Sequence, residues 1–267
     1  MTSSEDQQLL AEMSEAVATR RPVVLATIVS TKRSVPRHAG TKMLVYPGPA
    51  QSGTIGGGEL EARVIEDALD VLRTGKTRLE TYPLVDPERG DAGVCGGEMT
   101  VYLEPYMPSH TVLVIGIGHV GAAVVDLAHW LGYRTIATDD RPERVDEAIV
   151  PHADERIAGS VSDALAAMPV TEDTSIVVVS RSVELDVDAI PRLLDTPARY
   201  IGVMGSGRRW NATKRELVDS GLEEASLDRI HVPIGIELGA ETVEEIAVSI
   251  LSEIIQETRA DGTEGSQ

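Results

Sequence analysis

Between Thr111 and Asp139 the chain runs through a short apolar segment, a glycine loop, a periodic helix, a second apolar segment and an acid, an order that few folds accommodate. Thr111 to Ile115 has the length and β-branched content of a buried strand, and GIGHVG spans Gly116 to Gly121. Val120, Ala123, Val124, Leu127, Ala128 and Leu131 then form a helical stripe that Gly132 ends, and Arg134 to Thr138 gives the next strand. A bare GxGxxG says little. With a strand before it, a helix after it and an acid about 20 residues on, it predicts a dinucleotide-type β-α-β unit. In such a loop Gly116 permits the tight turn, Gly118 lets the backbone approach a pyrophosphate, and Gly121 lets helix and strand pack closely, while free amides at the helix start hold the anion. Asp139 is placed to accept hydrogen bonds from a ribose and to repel a 2′-phosphate, which favours NAD over NADP.

The alternation continues downstream. Helices are expected near Ser162 to Met168 and Val187 to Leu194, with strands at Ser175 to Val179 and Arg199 to Met204. GSGRR, Gly205 to Arg209, follows the last of these strands and opens a helix, so Gly205 and Arg208, with Arg209, either hold a phosphate at the carboxyl end of the sheet or form a charged helix start. The final helix, Thr242 to Glu257, carries one broad apolar face and reads as a core helix or the face of a homodimer. Residues 107–267 are therefore expected to be an α/β, Rossmann-like, doubly wound parallel sheet.

Pro105 to His110 carries two prolines and no periodicity, which sets the domain boundary there. Residues 1–106 are expected to form a smaller α+β domain. It opens with a short helix, then a buried strand at Val23 to Val29, the loop SVPRHAG and a second strand to Tyr46. GTIGGGELE, Gly53 to Glu61, leads three glycines into a helix stripe of Leu60, Val64, Ile65, Ala68, Leu69 and Leu72, so Gly56, Gly57, Gly58 and Glu59 are candidates for an anion-binding loop. Arg37 and His38, in the preceding loop, are the candidates to neutralise an anion there. The only cysteine, Cys95, sits in GVCGG beside Gly96 and Gly97. Glycines on both sides suit an exposed thiolate that ligates a metal or accepts sulfur; the alternative is a small residue tolerated in a turn.

Composition narrows the function classes. With 43 acidic against 24 basic residues the net charge is −19, which repels phosphate backbones and anionic lipid, so neither nucleic acid nor a membrane is an expected partner. No apolar run approaches the roughly 18–20 residues of a spanning helix, and the N-terminus lacks a basic leader and apolar core, so a cytoplasmic protein is expected. One cysteine rules out an internal disulfide and a paired-thiolate zinc site. Phe is absent, so the core must be aliphatic.

SVPRHAGTKMLV, GTIGGGELEARVIEDAL, GVCGGEMTVYLEP, VLVIGIGHVG, YIGVMGSGRR and VPIGIELGAETVEEIAVSILSEI, in that order from about Pro22 to Ile255, resemble the XdhC/CoxI family of accessory proteins for molybdenum hydroxylases. Val35 before Pro36 and Val243 at the start of the last helix depart from its usual residues. The resemblance implies a protein that binds the molybdenum cofactor, in mononucleotide or dinucleotide form, supports its sulfuration by a cysteine desulfurase, and inserts it into a xanthine dehydrogenase or related apoenzyme. The family cysteine falls on Cys95, as the metal-facing residue, and its glycine-rich segment on Gly56 to Glu61. The second reading is an NAD-dependent oxidoreductase using the Gly116 loop and Asp139, although no Lys, Tyr or His acid–base set accompanies them.

Overall fold

The computed structural model describes residues 4–84 and 97–260. Two units emerge, residues 1–108 and 109–267. In the first, a helix α1 (Ser4–Ala18) precedes strands β1 (Val23–Lys32), β2 (Lys42–Val45) and β3 (Gln51–Gly53), helix α2 (Gly58–Thr74), and strands β4 (Arg78–Pro83) and β5 (Glu98–Tyr106). The strands form an antiparallel sheet in the order β3-β2-β1-β5-β4. Over Val23 to Ala26 both faces of β1 are covered, which is why apolar residues follow one another there; farther along, Thr27 and the exposed Val29 lie opposite the buried Ile28 face. Val23 packs with Leu9 and Ala16 of α1, while Val24, Ala26 and Ile28 point the other way into a cluster with Leu60, Val64, Ala68 and Val71 of α2. Gly75, at φ 64°, ends α2 in the left-handed conformation a side chain rarely takes.

The second unit contains β6 (Thr111–Ile115), α3 (His119–Trp130), β7 (Arg134–Asp139), β8 (Glu155–Ala158), α4 (Val161–Ala167), β9 (Thr174–Val178), α5 (Val183–Leu194), β10 (Tyr200–Val203), α6 (Gly207–Asp219), β11 (Ile230–His231) and α7 (Val243–Ala260). Every strand pair is parallel, in the order β11-β10-β9-β6-β7-β8. The order reverses between β6 and β9, so ligands of such a sheet belong in the crevice at their carboxyl ends. Again both faces are covered: Val112 and Val114 join Val124, Val125, Ile250 and Ile254 beneath α3 and α7, while Leu113 and Ile115 join Ile190, Leu193 and Leu217 beneath α5 and α6. Each such aliphatic side chain contributes roughly 1.5–3 kcal/mol on burial. Among the described residues the core is aliphatic apart from the buried Tyr46, Tyr82 and Tyr200.

The last helix is a core helix: Ala247, Ile250, Leu251 and Ile254 are spent against α3, so that broad apolar face is not available to a homodimer. Among the described residues no helix is long and apolar enough to cross a membrane.

Candidate functional site

The second unit's glycine loop is shaped by backbone contact. Gly116 adopts φ +99°, and a Cβ there would stand 2.7 Å from the carbonyl oxygen of Val179, while one on Gly121 would collide with the carbonyl of Gly116. A Cβ on Gly118, by contrast, would meet open space. The helices at this edge differ in how they begin. Ser160, Ser182 and Ser206 cap α4, α5 and α6 with their side chains, whereas α3 starts at Gly118 with no side-chain cap. Its first amides lack intrahelical partners and carry the positive end of the helix dipole. A cavity of about 280 Å³ opens in front of them, lined by Gly116 and Gly118, by Asp139 to Arg141 and by Val179 to Arg181.

Asp139 ends β7, where the sequence places it, and its carboxylate is taken up by the protein's own donors. Its Oδ1 accepts the Arg141 amide at 3.0 Å and Arg141 Nε at 2.8 Å; its Oδ2 accepts the Ile117 amide at 2.7 Å and Arg141 Nη2 at 2.9 Å. Those four donors fill the carboxylate, and the residue is only 3% exposed. The expected ribose acceptor is instead a brace that locks the glycine loop to β7. Burial pushes the Asp139 carboxyl up, but the hydrogen bonds from Arg141 and Ile117 outweigh it and hold it low. Asp140 beside it receives both Nη atoms of Arg181, at 2.6 and 2.7 Å, and this guanidinium pulls its pKa down to about 2. Arg141 and Arg181 are the cavity's cations, and the sequence reading passed over both. The signal was the run Asp-Asp-Arg immediately after the strand.

GSGRR divides between two roles. Gly205 and Arg208 lie at the carboxyl end of β10 as expected, and Arg208 is exposed in the first turn of α6. Arg209 is not available to a phosphate. Its Nε and Nη2 meet Asp186 Oδ2 at 3.0 and 2.5 Å, and the same guanidinium reaches the carbonyls of Ser180 and Ser182 at 2.9 and 3.1 Å. Asp186 is 1% exposed and also takes the Ser180 hydroxyl. This pair pins α6 and α5 to the loop after β9, which lines the cavity.

In the first unit, three of the singled-out loops converge at one end of the sheet. Gly97 is buried, and a Cβ on it would collide with the carbonyl of Ser34 and stand 2.7 Å from that of Lys32; a Cβ on Gly56 would stand 2.8 Å from Pro36 Cγ. Arg37 is half-buried and lines a cavity of about 620 Å³ with Thr41, Lys42, Ser52, Gly53 and Thr54, with Glu5 and Asp6 of α1 at its rim. Cys95 and Gly96 lie outside the described residues.

The GGG loop is not an empty amide cradle. Gly56, Gly57 and Gly58 all have positive φ, a run that only glycine takes without strain. That turn folds around Glu61. Its Oε2 accepts the amides of Ile55 and Gly57, each at 3.1 Å, and the Thr54 hydroxyl, while Oε1 accepts Gln51 Nε2 at 3.0 Å. The Gly56 amide goes to Thr54 Oγ1 at 3.2 Å. The amides of Gly56 and Gly57, offered by the sequence as ligands for an anion, are thus taken by the protein's own carboxylate and hydroxyl. Gly58 and Glu59 are exposed. Burial pushes the Glu61 carboxyl up, but the hydrogen bonds, Thr54's foremost, more than offset it and hold it below the ordinary 4.5. An acid in the first turn of a helix after a glycine loop was the available sign.

Comparison with known proteins adds to this geometry. The model of the XdhC Rossmann domain matches residues 112–254, and that of the XdhC and CoxI family matches residues 16–83. "Uncharacterized protein YqeB" of Escherichia coli K12 is 32% identical over 237 residues, covering 88% of this chain and 43% of its own length. A probable xanthine dehydrogenase subunit from Bacillus subtilis 168 is 31% identical over 156 residues, 58% of this chain and 45% of its own length. "Molybdenum cofactor insertion chaperone PaoD" of E. coli K12 is 20% identical over 272 residues, 90% of this chain and 85% of its own length. The chain thus spans less than half the length of the first two relatives. With two family models matched in chain order, one of them over more than half of the 267 residues, and the strand order and glycine loop that a Rossmann unit requires, the chain belongs to the XdhC and CoxI family.

Proposed function

We propose that this protein is a maturation factor that carries the molybdenum cofactor as cargo and passes it to a xanthine dehydrogenase or related molybdenum hydroxylase. Family membership supports this, as do the names of two relatives, a molybdenum cofactor insertion chaperone and a xanthine dehydrogenase subunit. The observation that carries the reading is the convergence of the loops holding Arg37, Gly56 and Gly97 at one end of the first unit's sheet. A pterin cofactor presents a phosphate, a flat heterocycle and a soft dithiolene-bound metal, and the donor set here suits each of these. Arg37, Lys42 and the hydroxyl of Thr41 line a cavity of about 620 Å³, room enough for a phosphate-bearing ligand. A Cβ on Gly57 or Gly58 would meet nothing within 4 Å, so a flat ring can approach the backbone there. Cys95, two residues before Gly97 in the chain, supplies the soft ligand. The cargo brings the redox-active metal; the protein's part is to bind, orient and shield it. In this reading a cysteine desulfurase is the sulfur donor, and Cys95 either ligates the metal or relays the sulfur.

The test is the metal and pterin content of protein purified without oxygen from cells making the cofactor. Wild type should retain both in equal amounts, and Cys95→Ser should lower retained molybdenum about tenfold with an unchanged thermal midpoint. Wild type without pterin, or a serine variant that retains as much molybdenum, would overturn the reading.

A further inference from the structure

The cavity at the carboxyl edge of the second unit has a fixed shape, and its charge pattern specifies a ligand. One wall is the glycine loop, held rigidly because Gly116 and Gly121 sit against backbone and because Asp139 clamps the Ile117 amide. Val161, Leu185 and Ala189 also line the cavity and give it an apolar surface that suits a heterocycle, with Ser160 and Asp188 next to them in the chain. At the end where the acid after the second strand normally meets an adenosine ribose, a hydroxyl-bearing ribose needs an acceptor. Asp139 has none left, since four donors already occupy its oxygens. Lining the cavity there are two guanidinium groups, those of Arg141 and Arg181, together with the Asp140 carboxylate that Arg181 holds; Asp188 lines the cavity as well.

The two arginines are held differently. Arg141 is fixed by two side-chain bonds to a buried carboxylate, whereas the Arg181 side chain is 49% exposed and its partner Asp140 is 39% exposed. An exposed pair of this kind is weak and opens readily. A phosphate monoester carries more negative charge than a carboxylate and offers three acceptor oxygens, so it competes well for a guanidinium fork. In a chain of net charge −19 an anionic ligand is repelled at long range, which makes these local cations necessary.

We propose that this cavity binds a dinucleotide whose adenosine ribose carries a 2′-phosphate, with the pyrophosphate on the Gly116–Gly121 loop and the 2′-phosphate on Arg141 and Arg181. This replaces the preference for NAD read from Asp139 in the sequence. This ligand site is built from residues of the second unit alone, and it stands or falls without the cargo reading.

Calorimetric titration of the full chain with NADP+ and NAD+, which differ only by that phosphate, tests it. NADP+ should bind about tenfold more tightly than NAD+, and Arg181→Gln should weaken NADP+ about tenfold while changing NAD+ less than about twofold. Asp140→Asn, which releases Arg181 from its carboxylate and removes a negative charge, should tighten NADP+ by roughly three- to tenfold. That gain cannot come from damage to the fold. NAD+ binding as tightly as NADP+, no NADP+ binding up to millimolar concentration, or an Asp140→Asn variant with unchanged or weaker NADP+ binding would overturn the proposal. Molybdenum and pterin retention is measured on separate samples, so failure here and failure of the cargo reading are distinguishable.

Discussion

Asp186→Ala is expected to destabilise the second unit by about 3 kcal/mol, the cost of breaking a buried ion pair from one side. Asp186 is 1% exposed, and its partner Arg209 has a side chain 23% exposed, so the alanine variant leaves a largely desolvated guanidinium with no counter-charge. The Ser180 hydroxyl loses its acceptor at the same time. Because Arg209 also reaches the carbonyls of Ser180 and Ser182, the damage should spread to the loop that lines the nucleotide cavity, and binding there should weaken together with stability. Urea unfolding measures the loss. Arg208→Ala, one residue away on the exposed side of the same helix start, should change stability by no more than about 0.5 kcal/mol. Replacing Asp186 and Arg209 together by leucine should recover part of the loss, since it removes the unpaired charge but still leaves the Ser180 hydroxyl and the Ser180 and Ser182 carbonyls without their partners. Equal effects of Asp186→Ala and Arg208→Ala would show that the pair does not hold α5 and α6.

The second large effect is expected at Glu61. Removing its carboxylate strips the Ile55 and Gly57 amides and the Thr54 hydroxyl of their common acceptor in a turn where three glycines in succession hold positive φ. Glycine-rich chain has the most conformational freedom to regain, so without the carboxylate the turn should lose its shape. Hydrogen bonds to a charged group contribute about 1.5–3 kcal/mol each, and partial solvation of this site brings the net for Glu61→Ala to about 2–3 kcal/mol. Cargo retention should fall with it, whereas Glu66→Ala, at an exposed position of the same helix, should spare both. Acid should have a matching effect. The folded-state pKa of Glu61 lies below its ordinary 4.5, so its contribution is complete above the unfolded value and is lost as the pH falls through the folded one. The stability difference between wild type and Glu61→Gln should therefore shrink between about pH 5 and pH 3. A difference that stays constant across that range would remove Glu61 as the group responsible.

Glu61 also shows why the site was only partly legible. The glycines, the helix stripe after them and the acids in its first turn are local features, and they led correctly to a glycine loop opening a helix. Which acid turns back to fill the loop depends on the path of the chain from Gln51 to Gly58, and neither spacing nor composition encodes that path. The same holds for Arg209, which was offered to a phosphate because its position at a helix start was visible while Asp186, 23 residues away, was not visibly near. Three short strands also escaped the pattern. Glu155–Ala158 is half-exposed and has no apolar alternation, and Gln51–Gly53 and Ile230–His231 are too short to show a period.

By itself the sequence determined the α/β class, the glycine loop between a strand and a helix, the acid at the end of the next strand, and the family. The first three rest on spacing within about one β-α-β unit, where 2-residue and 3.6-residue periods and the conformations open to glycine act locally, whereas the family rests on motifs in order from about Pro22 to Ile255. Only the tertiary structure decided the partners of the charges: Asp139 filled by Arg141 and the Ile117 amide, Arg209 spent on Asp186, Glu61 inside its own loop, and Arg181 left loosely held at the cavity. Charge pairing is settled by which side chains the packed sheets bring within hydrogen-bond reach and by how little water remains there, and both are properties of the assembled fold.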